Sequence, residues 1–111
     1  MELLSKDKII EINSKIEPNS NIINGNLITS YEASLPYCST ISLKLSAIAR
    51  SLIKNHCFSD GNKRTAFIVL KILCKMNNIT LNNTNLGDKI LYIAKNNYEI
   101  DYISNNILFF T

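Results

Sequence analysis

The fold is decided by residues 40–77, TISLKLSAIARSLIKNHCFSDGNKRTAFIVLKILCKMN, in which two helical patterns flank a short polar segment. The first pattern predicts a helix from the N-cap Thr40 through Asn55, and the second predicts a helix from near Gly61 to about Asn77. Their inward-facing positions are Leu45, Ile48, Ala49 and Leu52 in the first helix and Ala66, Val69, Leu70, Leu73 and Met76 in the second. We expect these two helices to pack as the central pair of the protein.

Three weaker patterns precede this pair. Ser5 is a suitable N-cap for a first helix, which Pro18 ends because a residue before proline is pushed out of the helical region. The inward positions of this helix are Ile9, Ile12 and Ile16. Residues 19–28, rich in Asn and Ser, predict a loop, flap or short hairpin. Residues 27–35 predict one or two helical turns, closed by Pro36.

Two shorter helices are predicted after the pair, over residues 85–96 and from Glu99 to about Phe109. The last one would turn Ile100, Ile103 and Ile107 inward. No stretch alternates apolar and polar residues long enough to indicate a sheet. The sequence therefore predicts an all-α protein, a single compact domain of about six helices over residues 1–111.

Composition excludes several classes of function. The 111 residues carry 12 basic and 9 acidic side chains, and the basic ones are scattered, which does not favour direct binding to nucleic acid. No apolar run has the roughly 18–20 residues of a membrane span, and the charged N-terminus is unlike a signal peptide. We therefore predict a cytoplasmic protein. Its cysteines, Cys38, Cys57 and Cys74, are expected to be free thiols without a metal.

The polar segment between the central helices breaks a local rule. Lys63 and Arg64 lie in the first turn of the second helix, where the positive end of the helix dipole disfavours each cation by about 0.3–1 kcal/mol. An anionic ligand would remove this penalty. Gly61 can adopt left-handed dihedrals and, with Asn62, expose backbone N–H groups toward the same point. These features together predict a phosphate-binding cradle.

Two further side chains in the segment could do chemistry on a phosphate. His56 is the only histidine, and an imidazole exchanges a proton near neutral pH, as a general base must. Asp60 supplies a hard oxygen of the kind that binds Mg²⁺. Each has an ordinary alternative, since His56 suits the C-terminal end of a helix dipole and Asp60 suits an N-cap. Together they indicate transfer of a phosphate-containing group to a protein hydroxyl or to water.

The order of residues from His56 through Arg64 resembles the signature of the Fic/Doc family, His-x-Phe-x-(Asp/Glu)-(Gly/Ala)-Asn-x-Arg, at every specified position. Lys63 resembles the death-on-curing (Doc) toxin branch, where lysine replaces the second glycine of the AMP-transferring members. In that branch the lysine is associated with a reversed ATP, so that the γ-phosphate is transferred. Phe67 stands where many AMP-transferring members have a second arginine, which also argues against AMP transfer.

The resemblance implies a role for each matching residue. Phe58 would pack inward and anchor the loop, and Cys57 stands where many members have proline. The implied site consists of His56 as the base for the target hydroxyl, Asp60 as the Mg²⁺ ligand, and Gly61, Asn62, Lys63 and Arg64 around the nucleotide phosphates.

The resemblance also implies a biological role. It predicts a toxin of a toxin–antitoxin pair that uses Mg²⁺ and ATP to phosphorylate a hydroxyl of a translation factor, elongation factor Tu in the family. The self-inhibitory pattern Ser/Thr-x-x-x-Glu-Gly/Asn does not occur, so restraint is expected from a separate, Phd-like antitoxin. Two alternatives stay open: an AMP transferase acting on a protein hydroxyl, and a catalytically silent module that binds an antitoxin.

Overall fold

Five α-helices form the framework of the computed structural model, which describes residues 1–80 and 85–108. They are α1 (Lys6–Ile16), α2 (Ile41–Lys54), α3 (Asn62–Met76), α4 (Leu86–Lys95) and α5 (Ile100–Asn106). No strand occurs in the described ranges, so the prediction of an all-α fold is confirmed.

Local capping chemistry sets the starts of the first two helices. Ser5 Oγ accepts a hydrogen bond from Lys8 N at 3.2 Å, and Thr40 Oγ1 accepts one from Leu43 N at 3.1 Å. Each bond satisfies a backbone N–H that the helix itself cannot pair. Both predicted N-caps are therefore confirmed.

Short 3₁₀ turns occupy the region between α1 and α2. They span Gly25–Leu27, Ser30–Ala33 and Leu35–Tyr37. The prediction that Pro36 closes this region was wrong, because Pro36 lies inside the third turn, in its first positions. A proline is tolerated there because the N–H that it lacks would have no partner within the turn.

Residues 19–28 form a loop rather than a hairpin. Ile22 makes an isolated antiparallel bridge with Phe58, so this loop pairs with the polar segment and not with itself. After this loop, the chain continues through the 3₁₀ turn at Gly25–Leu27 toward the next turn at Ser30–Ala33. The loop thus lies against the segment that precedes α3.

The core lies around α2, which packs against α3, α4 and α5, while α1 packs on α3. The predicted inward residues of α2 and α3 are buried except Met76, which is 37% exposed. Met76 is the last residue of α3 and lies at the edge of the core. Cys74, one turn beyond Leu70, is buried instead. The two central helices therefore pack through the predicted faces, apart from that last position.

The C-terminal helix is shorter than the pattern predicted. α5 ends at Asn106, and Phe109, the predicted end, lies outside the described residues. Ile103 and Ile107 are buried as expected, whereas Ile100 is only half-buried. Over the part of the chain that the structure describes, no helix is both long and apolar enough to cross a bilayer.

The three cysteines are buried free thiols. Burial raises the pKa of the Cys57 thiol and of the Cys74 thiol. A raised thiol pKa keeps sulfur protonated and poorly reactive. Within residues 1–80 and 85–108, no group of three or more His, Cys, Asp or Glu side chains is arranged to hold a metal ion by itself.

Candidate active site

The polar segment between α2 and α3 borders a cavity of about 380 Å³. The end of α1 and parts of α2 and α4 complete its walls, through Glu17, Ile53, Lys54 and Ala94. Six of the seven predicted site residues line it, namely His56, Asp60, Gly61, Asn62, Lys63 and Arg64. The seventh, Phe58, is 2% exposed and packs in the core beneath the loop. The structure thus brings all the predicted polar site residues to one cavity.

His56 lies in a strained but well-held stretch of backbone. Its φ of 49° is left-handed, a conformation that costs most non-glycine residues about 1–2 kcal/mol. The Asn24 side-chain amide donates hydrogen bonds to the carbonyls of Asn55 at 3.2 Å and His56 at 2.9 Å. The backbone N–H groups of Ile23 and Asn24 both donate to the Cys57 carbonyl. These bonds fix the main chain and leave the exposed imidazole at the cavity.

A strap formed by residues 20–24 continues along the loop. The Asn21 N–H donates to Ser59 Oγ at 2.9 Å, and the Ser59 N–H donates to the Asn21 carbonyl at 2.8 Å. Ser20 Oγ donates to the Asp60 carbonyl at 3.0 Å. Because the strap is hydrogen-bonded to successive residues of the loop, it holds the main chain of Asp60 in a fixed position relative to that of His56.

The Asn62 side chain closes the loop from inside. Its Oδ1 accepts a hydrogen bond from the Phe58 N–H at 3.1 Å, and its Nδ2 donates to the Phe58 carbonyl at 2.8 Å. Both ends of this amide therefore contact the loop backbone. Any contact of Asn62 with an anion would come most directly from its backbone N–H at the start of α3.

Gly61 is required where α1 meets α3. Its φ of 75° is left-handed, and a Cβ there would lie 2.8 Å from Cγ of Glu17 and 3.2 Å from Nδ2 of Asn13. The buried Asn13 amide donates to the Asp60 carbonyl at 2.9 Å and to Thr65 Oγ1 at 3.1 Å. One amide from α1 thus ties together the last loop residues and the first turn of α3.

One ion pair crosses the same junction. Arg64 Nη1 lies 3.0 Å from Glu17 Oε1, with side chains 67% and 32% exposed, respectively. Glu17 is the C-cap of α1, and a negative charge is disfavoured at a helix C-terminus. The Asp60 carboxylate accepts a hydrogen bond from the Gly61 N–H at 2.7 Å through Oδ1. Two carboxylates therefore already lie at the cationic start of α3.

Sequence reasoning missed Asn13, Glu17 and the strap. Asn13 and Ser20 lie 47 and 40 residues from Asp60 in the chain, so no local spacing connects them. Glu17 did carry one signal, because its charge is opposite to the one that the end of a helix favours. The same rule, applied to Lys63 and Arg64, had led to the prediction of an anion-binding cradle.

The donor set fits a Mg²⁺ ion that is bound together with phosphates. Mg²⁺ in such sites takes one or two carboxylates and completes its shell with phosphate oxygens and water. Asp60 supplies one carboxylate at the cavity, beside Lys63 and Arg64. An exposed imidazole on the same cavity could accept a proton from a hydroxyl brought near the phosphates.

Lys54, at the end of α2, also lines the cavity. Its Nζ donates to the carbonyls of Ala94 at 3.0 Å and Asn96 at 2.9 Å, at the C-terminal end of α4. A cation at this helix end is favoured by the dipole and by the last carbonyls. Lys54 therefore joins the end of α2 to the end of α4 beside His56.

Comparison with known proteins identifies the family. The family model described as Fic/DOC family matches residues 5–74, which is more than half of the chain and runs from the start of α1 to the last turn of α3. No curated protein matches the chain. The matched region contains the strap, the loop and the start of α3, and by this match the chain belongs to the Fic/Doc family.

Proposed function

We propose that this chain is a kinase of the Doc type, which transfers the γ-phosphate of ATP to a protein hydroxyl in the presence of Mg²⁺. Members of the family generally transfer phosphate-containing groups. The observation that carries the proposal is that the His56 imidazole and the cations at the start of α3 border one cavity.

In the proposed reaction, His56 removes the proton from the target hydroxyl as its oxygen attacks the γ-phosphorus. The new O–P bond forms while the bond to the β,γ-bridging oxygen breaks, and ADP leaves with that electron pair. The protonated imidazole then returns its proton to solvent. Lys63, Arg64 and the backbone N–H groups of the first turn of α3 stabilise the charge on the phosphate oxygens.

Mg²⁺ would be held by Asp60 and the phosphates, where it neutralises part of the phosphate charge. This role is supported by the hydrogen bonds that the Asp60 carbonyl accepts from the side chains of Asn13 and Ser20, because they hold the main chain that carries the carboxylate. These two hydrogen bonds would keep the Asp60 carboxylate oriented before the nucleotide binds.

Lys63 favours phosphate transfer over AMP transfer. Its side chain occupies space at the cradle that a glycine would leave open for a diphosphate, and it adds a cation next to Arg64. We therefore propose that the terminal phosphate, rather than the α-phosphate, faces His56. By the family resemblance, the target is a translation factor such as elongation factor Tu, and a Phd-like antitoxin restrains the toxin.

The test is incubation of the purified chain with elongation factor Tu and ATP labelled at either the γ- or the α-phosphate. We expect label transfer from γ-labelled ATP, and its loss in the variants His56→Ala and Asp60→Ala. Transfer from α-labelled ATP would instead identify an AMP transferase. Transfer that survives His56→Ala would refute the proposed base, and no transfer from either label would favour a silent module.

A further inference from the structure

A protruding tyrosine ends the 3₁₀ turn Leu35–Tyr37, and its side chain is 89% exposed. The other exposed tyrosines, Tyr92 and Tyr102, are 52% and 44% exposed, and each ring lies against the ring of Tyr98. Tyrosine is enriched at protein–protein interfaces because it combines a large apolar ring with a hydroxyl. A tyrosine ring left almost wholly in water therefore indicates an anchor for a partner.

The turn that carries Tyr37 is held by hydrogen bonds. The Tyr37 N–H donates to the Ser34 carbonyl at 3.0 Å. The next N–H, that of Cys38, donates to the Leu35 carbonyl, also at 3.0 Å. Lys44 Nζ donates to the Cys38 carbonyl, which ties the end of the turn to α2. Because this backbone is already ordered, binding through Tyr37 costs less conformational entropy.

A cavity of about 330 Å³ opens directly beside Tyr37. Its other walls come from the preceding turn, α2 and the start of α5, through Ala33, Ser34, Cys38, Leu43, Ile100 and Asp101. Cavities of this size accommodate ring-containing groups. Within the described residues, none that borders this cavity also borders the active-site cavity. One surface, here called the Tyr37 patch (residues 33–43 with Ile100 and Asp101), thus presents both a ring and a cavity that can receive one.

We propose that the Tyr37 patch is the interface of a homodimer, in which Tyr37 of each copy enters the cavity of the other. Two-fold symmetry brings the same patch of both copies together, so a ring and a cavity on that patch are each used once per copy. Because the ring borders its own cavity, both reciprocal contacts fit close to one axis. This inference goes beyond the proposed function and does not depend on it.

The chemistry of the patch suits a second copy of this chain. Near a two-fold axis each residue faces its own counterpart, so any charge there would face a like charge. Residues 33–43 contain no Asp, Glu, Lys or Arg, although the whole chain carries a net charge of +3. A buried tyrosine hydroxyl needs a hydrogen-bond partner, and Asp101 offers a carboxylate at the cavity wall.

The area available fits a weak dimer. A buried aromatic side chain contributes about 150–250 Å², so two Tyr37 side chains contribute about 300–500 Å². A specific interface buries at least about 1,000 Å² in total. Ile41, which is 46% exposed, and the exposed Pro36 enlarge the apolar surface next to Tyr37 on each copy. We therefore expect a dissociation constant in the micromolar range.

The experiment is sedimentation equilibrium of the full chain over a concentration series that spans the micromolar range. We expect a monomer–dimer equilibrium that Tyr37→Ala weakens by about 30- to 700-fold, because it removes two anchors at once. Tyr37→Phe should dimerise more tightly than Tyr37→Ala, since it keeps the ring. Tyr92→Ala is the matched control: it removes an exposed tyrosine from α4 and should dimerise as the wild-type chain does.

A mixing experiment tests the reciprocal insertion. Ala33→Glu places a carboxylate in the cavity near Asp101 and should block entry of the ring, while it keeps its own Tyr37. Tyr37→Ala has the opposite defect, an open cavity without a ring. An equimolar mixture should therefore form a heterodimer more tightly than either variant self-associates. Both positions are exposed, so neither substitution should unfold the chain, and thermal melting checks this.

The proposed interface is refuted if the wild-type chain stays monomeric at every concentration, or if Tyr37→Ala dimerises as tightly as the wild-type chain. It is also refuted if Tyr92→Ala weakens the dimer as much as Tyr37→Ala does, because the contact would then lie on α4. A mixture that associates no better than the single variants would overturn the reciprocal insertion. Since no nucleotide is present, each of these results leaves the proposed function unaffected.

Discussion

Glu17→Gln removes one negative charge from the cavity while keeping the size of the side chain. In the structure, the Glu17 carboxylate lies 3.0 Å from Arg64 Nη1. A phosphate that binds Arg64 must compete with this contact. We therefore expect the glutamine variant to bind a nucleotide more tightly than the wild-type chain.

The expected gain is modest because the pair is exposed to solvent. Arg64 is 67% and Glu17 is 32% exposed, and pairs of this kind contribute about 0.2–1 kcal/mol. If ligand binding must break the pair, its removal strengthens binding by about 1.5- to 5-fold. At about 1 M salt, where the screening length is near 3 Å, the gain should disappear.

The assay is calorimetric titration with the Mg²⁺-loaded imido analogue of ATP at low and high salt. Glu11→Gln is the matched control, since Glu11 lies on the same helix and pairs with Lys15 at 2.9 Å, away from the cavity. The control should bind the nucleotide as the wild-type chain does. The stability of Glu17→Gln should change by no more than about 0.5 kcal/mol, because losing the pair is offset by removing a negative charge from the end of α1.

One result would refute this reasoning. If Glu17→Gln binds the nucleotide more weakly than the wild-type chain while Glu11→Gln is unchanged, Glu17 assists the ligand, for example as a second carboxylate near Mg²⁺. If both variants change alike, the effect comes from net charge and not from the pair with Arg64.

Three further predictions concern buried groups. Asn13→Ala should lower the free energy of unfolding by about 1–3 kcal/mol in denaturant titration, because it removes the donor to the buried Thr65 Oγ1 and one of the two side-chain donors to the Asp60 carbonyl; a loss below about 0.5 kcal/mol would contradict this. Burial raises the pKa of Tyr31 from its usual 10 to about 12. The contribution of Tyr31 to stability should therefore be complete below pH 10 and fall by about 2–3 kcal/mol as the pH rises to 12, and Tyr31→Phe should remove this part of the alkaline loss. Cys57 and Cys74 should resist thiol reagents at pH 8 in the folded chain and react at once in denaturant, whereas rapid native labelling would exclude their burial.

Helix starts were predictable because their causes are local. Ser5 and Thr40 each accept a hydrogen bond from the backbone N–H three residues later, and this spacing can be read directly from the sequence. The periodic faces of α2 and α3 are equally local. The end of the α3 face at Met76 was not predicted, because it depends on where the rest of the core stops.

The support of the loop could not be read from the sequence. Ile22 pairs with Phe58, and Asn24 holds His56, across more than 30 residues of intervening chain. Asn and Ser in residues 19–28 indicated only an irregular segment, since a loop and a hairpin have the same composition. Which backbone groups they bond is decided by tertiary packing. The motif thus predicted which residues border the cavity, whereas the residues that hold the motif in place needed the structure.

The charges that oppose local helix rules meet at one point. Arg64 lies at the start of α3, where a cation is disfavoured, and Glu17 lies at the end of α1, where an anion is disfavoured. Their contact lessens both penalties without requiring a ligand. A bound phosphate would satisfy Arg64 and Lys63 better, because it carries more negative charge and is also bonded by the N–H groups at the start of α3. Glu17 would then be released, so nucleotide binding and movement of this carboxylate are expected to be coupled, and the coupling should vanish in Glu17→Gln.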